Sequence, residues 1–429
     1  MATQLSDVLS PKRSSSWRPY MQISIKFLLA AILILDIFGL ECSPCLTSSW
    51  HVGVAKTAIT PTMPVWQAGY DRETKSAGVH DDIWARALAL DNGERTVLIV
   101  ACDLIGLMLP DVDEIRDQLI NPTLPRDNII ITCTHQHSGP DVLGLWNKDK
   151  SQSGVDSLYL KELKATIVLT ARNALAAKQK AVLAVSKTEV HGISYNGRDE
   201  GVDDFSVVIL RAKSEDGKPI VTLVNFACHP EVLTEENTLI TSDYPHYLYQ
   251  TIESKSGGMA MLISGALGAM LTPLVSANTF EESERCGTTL ANAVLAAIAE
   301  EKPLNDNTLL SRRQKILLQV ANPKFVWLAQ QKIIHRDFAG EQVETEVGIL
   351  QIGPIRAATI PGEALPKVGF AIKPELQTDY PMIFGLANDE LGYLIPEADW
   401  RPEAYEESMS LGPLAADSIK NEIVKLMKE

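Results

Sequence analysis

The run from Asn128 to Ile131 is too short for a helix and too apolar for a surface loop, so it reads as a buried strand. It runs into Thr132-Cys133-Thr134-His135-Gln136-His137-Ser138-Gly139-Pro140. Side chains two apart in extended chain share a face, so His135 and His137 are expected to look into one cavity. Ser138-Gly139-Pro140 forces a turn, which puts the pair at the end of a strand rather than in mid-sheet. An isolated H-x-H also occurs as a hydrogen-bonded pair at a sheet edge. These residues alone do not separate the two roles.

The same pattern, an aliphatic run stopped by polar residues, recurs along the chain. His51 to Thr60 is a first strand, stopped by Pro61. Ala87 to Leu90 and Thr96 to Cys102 flank Asp91-Asn92-Gly93, the signature of a hairpin. Asp103 follows it, either as a site carboxylate or as a helix cap or turn residue. Asp111 to Leu119 and Asp156 to Ala177 carry helical spacing, and Ala181 to Val190 is a strand. Phe205 to Arg211 and Ile220 to Ala227 form a second hairpin that delivers Cys228-His229-Pro230. A helix from Thr241-Ser242-Asp243-Tyr244-Pro245 to about Glu253, a strand Gly258 to Ser264 and a helix Glu281 to Ala299 follow. Polar, proline-containing Lys302 to Asn307 is the best internal boundary. Beyond it lie strands within Thr308 to Val320, Thr345 to Ile360 and Pro381 to Leu386, a helix within Pro323 to Lys332, and a terminal helix Pro413 to Lys428. Strands and helices in this order predict an α/β fold: a layered, mixed β-sheet core with flanking helices.

Composition excludes some classes. The 429 residues are 45% hydrophobic and 22% charged, enough for a real core and against global disorder. The net charge of −15 argues against a nucleic-acid partner. Phe27 to Leu40 is apolar apart from Asp36 and is preceded by Lys12, Arg13, Arg18 and Lys26. That is the form of an export signal within residues 1–42, so the chain is expected to be secreted, periplasmic or extracellular. The alternative is an uncleaved membrane anchor over residues 27–40. Cys42 and Cys45 make a lone C-x-x-C, which is weak evidence for metal or redox work. Cys102, Cys133 and Cys228 sit in apolar runs as small buried hydrophobes.

His135, His137, His229, Glu363 and Tyr393 all interrupt apolar runs where strands are expected to end. Three of the chain's eight histidines are in this set. Imidazole nitrogen and carboxylate oxygen suit a divalent ion such as Zn²⁺. The close-spaced H-E-x-x-H signature is absent, as are a G-x-S-x-G nucleophile elbow and a phosphate loop.

Several segments, in one order, resemble the neutral, non-lysosomal ceramidase family. They are Gly53 to Pro61, Gly69-Tyr70, Val79 to Ala87, Thr134 to Pro140, His229-Pro230, Ser242 to Pro245, Pro361-Gly362-Glu363, Gly392 to Pro396 and Tyr405-Glu406. The resemblance spans residues 51 to 410 and implies a catalytic domain over residues 50–429, within which the polar stretch at 302–307 is the one candidate for a subdivision. It implies one zinc ion per chain, held by His135, His229, Glu363 and Tyr393. His137 then corresponds to an active-site histidine that is not a ligand, Arg198 to an arginine reaching the substrate, and Tyr405 to a second tyrosine beside the metal. Asp243 is expected to support a histidine.

The implied chemistry is hydrolysis of the amide of an N-acyl lipid such as ceramide, with association at a membrane surface. The alternatives are an amidase or esterase acting on a smaller substrate, and a degenerate non-enzymatic relative. Two departures bear on this choice: Ala269 and Thr272 stand where the family has aspartate and asparagine. The family's C-terminal immunoglobulin-like domain is not expected in this chain.

Overall fold

The computed structural model describes residues 50–428 apart from Ala269 and Ala339. The export signal or anchor, the Cys42/Cys45 pair and the Ala269 substitution lie outside the described residues. Among the described residues no helix is long and apolar enough to cross a membrane.

The first sheet is built from β1 (Trp50–Ala58), β2 (Trp84–Asp91), β3 (Thr96–Cys102), β4 (Ile129–Cys133), β5 (Gln179–Glu189), β6 (Ser206–Ser214), β7 (Pro219–Phe226) and β8 (Met259–Ser264). Their order is β8-β7-β6-β5-β1-β2-β3-β4, and Lys302–Pro303 pairs with β5 off this path. Both expected hairpins form, β2/β3 and β6/β7. In the first, the Asp91 carboxylate accepts from Gly93 N at 2.7 Å and Gly93 takes φ +89°, the conformation that makes glycine the residue of choice there. The pairs β3/β4 and β7/β8 are parallel and the remaining neighbours antiparallel.

Those pairings make β4 and β8 run in opposite senses on a flat sheet. Adjacent strands are rotated by about 20–25°, so over the whole path the twist accumulates to roughly half a turn. Twist turns the two edge strands toward a common direction, and curling of the sheet lets their C-terminal ends meet. Ser264 Oγ donates to Thr134 O at 2.9 Å across that junction. The site is built at this junction.

A second sheet holds β9 (Leu309–Gln319), β10 (Gln342–Ile352), β11 (Ile355–Thr359) and β13 (Tyr380–Phe384) in that order. Two two-residue strands, β12 (Glu363–Ala364) and β14 (Tyr393–Leu394), pair in parallel, with Glu363 opposite Tyr393. Among the described residues, the α-helices of seven residues or more are α1 (Leu109–Asp117), α2 (Ser157–Ala176), α3 (Tyr244–Ser256), α4 (Phe280–Ala297), α5 (Pro323–Gln330), α6 (Pro366–Ile372) and α7 (Ala415–Leu426). Their starts follow from capping: Asp156 accepts from Leu158 N and Tyr159 N at α2, and Thr279 from Glu282 N at α4.

Alternation along the strands sorts the core into layers. Ala87, Leu98 and Val100 face α2 through Tyr159, Leu163 and Ile167, while Val207, Ile209 and Leu262 face α3 and α4. The opposite-facing Leu88, Ile99, Leu210 and Met261 pack on Leu350, Ala357 and Phe384 of the second sheet. That sheet's outer face, including Val347, Ala358 and Ile383, is covered by Val368 of α6 and Ile419 and Ile423 of α7. The result is four layers, helix–sheet–sheet–helix, in agreement with the layered α/β expectation. The strands covered on both faces along their whole length, β3, β4 and β8, read as continuous apolar runs.

Candidate metal centre

β4 ends at Cys133, and His135 lies beyond it with φ +67°. The two histidines therefore do not share a face by strand alternation, as the extended reading supposed. A left-handed non-glycine residue is strained and persists only where its surroundings hold it. Here His135 N donates to Leu104 O at 2.9 Å and Nδ1 to Ile105 O at 2.6 Å. His229 follows β7 and is held the same way, with its backbone N 2.7 Å and its Nδ1 3.1 Å from Leu271 O. A carbonyl only accepts, so in both rings Nδ1 carries the proton and Nε2 presents a lone pair.

Both Nε2 atoms stand 3.2 Å from one oxygen, Glu363 Oε2. Three acceptors aimed at one point repel one another unless a proton or cation lies between them. A tetrahedral ion with bonds of about 2.0 Å separates its donors by roughly 3.3 Å, so the spacing fits such an ion. Burial alone would raise the Glu363 pKa, but His135 and His229 outweigh it and hold the carboxyl below the usual range. For His229, burial opposes the charged form, and Glu231 and Glu363 more than offset it. The strand pair β12/β14 sets Tyr393 beside Glu363, with its hydroxyl 3.6 Å from Met270 Sδ.

His137 completes a cluster in which donor nitrogens of His135, His137 and His229 lie within 4.8 Å of one another. Its Nδ1 is 3.2 Å from Glu231 Oε2, yet neither ring nitrogen makes an aligned hydrogen bond. Burial, then His135 and His229, push its pKa well down, so it is neutral as placed. Gly69 makes the ring's position available: at φ +93°, a Cβ there would lie 2.4 Å from His137 Cγ. Gly69→Ala is expected to displace the ring and lower kcat/KM for amide hydrolysis by roughly 10²-fold, the order of effect of an ångström-scale misplacement. Unchanged far-ultraviolet circular dichroism would show that the fold survives.

The remaining expected residues are placed differently. Tyr405 is 60% exposed, its ring 6.0 Å from that of Tyr393, at the mouth of the site. Burial of its hydroxyl and the nearby Glu363 push its pKa up to about 12. Arg198 does not line the cavity. Its guanidinium grips Glu406 at 3.0 Å, Glu407 at 2.6 Å and Asp399 O at 2.9 Å, fastening the segment that carries Tyr405. Asp243 touches no histidine ring in the centre. It accepts from Leu233 N, Tyr244 N and Ser283 Oγ, which ties the loop after His229 to α3 and α4. Asp103 is structural too, holding Trp84 N, Ser242 Oγ and Tyr249 OH. Thr272 pairs with Tyr195, and support for His229 comes from the neighbouring Leu271 backbone, which is indifferent to the substitution.

Two carboxylates at the site escaped the sequence reading. Glu231 accepts from Tyr70 OH at 2.9 Å and lies against His137. Its signal was available, since it stands two residues after His229 in His-Pro-Glu. Glu390 gave no such signal, because only the fold brings its loop to the centre. Burial and then Glu363 raise its pKa well above the usual range.

The centre opens on two confluent spaces that share His137, Tyr393 and Tyr405. The inner one, about 60 Å³, is walled by Ile105, Met108, Leu143, Phe325 and Ile334, with Glu390 among them. The outer one, about 840 Å³, carries Tyr70, Asp71, Lys150, Glu231 and Trp327.

Comparison with known proteins adds to this geometry. The structure is similar to that of a neutral ceramidase from Pseudomonas aeruginosa, with TM-score 0.74 and 18% identity over 88% of this chain and 74% of the other. It is also similar to a ceramidase complexed with C2, with TM-score 0.73 and 17% identity over 88% of this chain and 75% of the other. Residues 50–263 match the model of the N-terminal region of neutral/alkaline non-lysosomal ceramidases. With the fold and the family match in agreement, the chain belongs to the neutral/alkaline non-lysosomal ceramidase family.

Proposed function

We propose that this protein is a zinc-dependent hydrolase of N-acyl amides of the ceramide type, holding one zinc ion through His135, His229, Glu363 and Tyr393. One observation carries the reading: the Nε2 atoms of two carbonyl-fastened histidines converge at 3.2 Å on one buried carboxylate oxygen. When bound there, zinc would lower the pKa of a water and polarise the acyl carbonyl. The chain's own groups do the rest. His137, neutral and without an aligned partner, takes a proton at a ring nitrogen and returns it to the leaving amine. The Tyr405 hydroxyl donates to the oxygen on which charge develops, a contribution of roughly 3 kcal/mol for an aimed donor. Arg198 keeps the Tyr405 segment in place through its carboxylate pair.

The substrate class is supported by the apolar inner wall and by the solved relatives, which are ceramidases by name. Exposed Trp327 and Tyr405 at the mouth suit a lipid presented at a membrane surface. Export from the cytoplasm, carried by a signal within residues 1–42, is part of this proposal. A smaller amide or ester is the second reading. It is favoured by the small size of the inner space, about 60 Å³ against about 840 Å³ for the outer one.

The test is a panel of ceramides of several chain lengths and short soluble amides, run with metal analysis of the purified protein. The expected result is about one zinc per chain and amide cleavage that His135→Ala abolishes. Full activity in His135→Ala would sink the site. Protein that binds no zinc after zinc-replete purification and cleaves nothing would point to a non-enzymatic relative.

A further inference from the structure

Glu390 is only 6% exposed, yet its carboxyl is half-used. Oε1 accepts from Gly392 N at 2.8 Å, while Oε2 has no partner among the described residues. Its neighbour Asp389 shows what a purely structural carboxylate looks like in this loop. Asp389 accepts from Leu109 N, Arg336 and Thr345 Oγ1. An unmatched buried acceptor destabilises the fold, and natural interiors rarely keep one without use.

The site around Glu390 is shaped for it. Gly106 lies against the side chain: a Cβ there would be 2.7 Å from Glu390 Cγ and 3.3 Å from Oε2. The preceding Ile105 carbonyl holds His135 Nδ1, so the carboxyl sits close behind the metal donors. Among the described residues, Glu390 is the one acidic side chain other than the donor Glu363 on the wall of the inner space. The outer space carries Glu231, which lies against His137, the group that returns a proton to the leaving amine, so the amine departs on that side. The acyl arm is thereby left to the inner space.

We propose that Glu390 is a specificity residue that reads a hydroxyl on the acyl group within a few carbons of the scissile carbonyl. The inference rests on the amide-hydrolase reading. It does not depend on the charge of Glu390, since a carboxylate accepts from a hydroxyl and a carboxylic acid both accepts and donates. The preferred substrates are then hydroxyacyl amides rather than plain acyl amides.

The experiment compares N-(2-hydroxyhexanoyl), N-(3-hydroxyhexanoyl) and N-hexanoyl amides of one amine, using the zinc-loaded full chain, Glu390→Leu and Glu390→Gln. In the wild type, kcat/KM is expected to favour at least one hydroxylated substrate by about 10-fold or more, because a site built for a hydroxyl discriminates against its absence. The ratio is expected to fall to about one in Glu390→Leu, whatever change in rate the substrates share, and to an intermediate value in Glu390→Gln. Calorimetric binding of the matching hydroxyhexanoate and hexanoate gives a second readout. Metal chelation by the hydroxy acid is common to all variants and cancels in the comparison. A wild-type ratio near one in both readouts, or a ratio unchanged in both variants, overturns the proposal. Should no amide be cleaved at all, the hydrolase reading fails, and the binding ratio still decides the role of Glu390. Should Glu390→Leu not fold, the wild-type ratio and Glu390→Gln decide.

Discussion

Glu363→Ala is expected to empty the metal centre and to lower amide hydrolysis by about 10³-fold. The Glu363 oxygen is the point at which the two Nε2 lone pairs meet. Losing a partner one shell farther from a metal costs roughly 10–100-fold, and losing a donor itself should cost more. Each tenfold corresponds to about 1.4 kcal/mol of barrier, so the loss is about 4 kcal/mol. The measurements are zinc content after equilibrium dialysis and kcat/KM on the amide that the wild type cleaves best. Wild-type zinc content in Glu363→Ala would remove Glu363 from the donor set. Zinc added to the wild type is expected to raise the unfolding midpoint, because a ligand that binds only the folded state stabilises it. In Glu363→Ala that increase should be absent.

Arg116→Ala is expected to destabilise the protein by about 3–5 kcal/mol, the usual cost of leaving one member of a buried charge pair alone. Arg116 is fully buried in α1 and donates twice to Ile129 O, at 3.0 and 2.8 Å, at the start of β4. It also stands 2.8 Å from Glu346 Oε1 on β10, a contact by distance rather than an aligned hydrogen bond. One side chain thus joins a helix to both sheets. Its removal leaves Glu346 buried with Arg313, at 2.6 Å, as its remaining cation. The check is the free energy of urea unfolding. A change below about 1 kcal/mol would mean that Arg313 alone satisfies Glu346. Arg116→Met should cost less than alanine if part of the loss is packing, since methionine restores apolar volume without charge.

How much of this was legible in the chain can be judged from particular residues. The strand through Ile129 to Ile131 and the hairpin around Asp91-Asn92-Gly93 were readable because their signals are local: periodicity and turn chemistry. The helices capped by Asp156 and Thr279 were readable for the same reason. The pairing of β12 with β14 was not, because a two-residue ladder has no period to detect. Nor was the left-handed backbone of His135, which is held by carbonyls from a distant loop at Leu104 and Ile105. Arg198 was expected to reach the substrate and Asp243 to support a histidine, and the fold uses both as clasps. A charged side chain near a site has the same letter whether it faces substrate or fastens a loop.

By itself, the sequence determined the α/β class, the apolar runs that become covered strands, and the family, through motifs in a shared order. Those properties depend on neighbours a few residues apart or on a pattern that survives without coordinates. The tertiary structure alone decided that the ends of β4 and β8 meet, since the twist and curl of a whole sheet are encoded by no single strand. It also decided that Glu363 stands between two histidine nitrogens, that Glu231 lies against His137, and that Glu390 reaches the inner wall with an oxygen unpaired. These contacts join residues more than a hundred positions apart, or loops whose direction only packing sets, and there the chemistry of this protein is made.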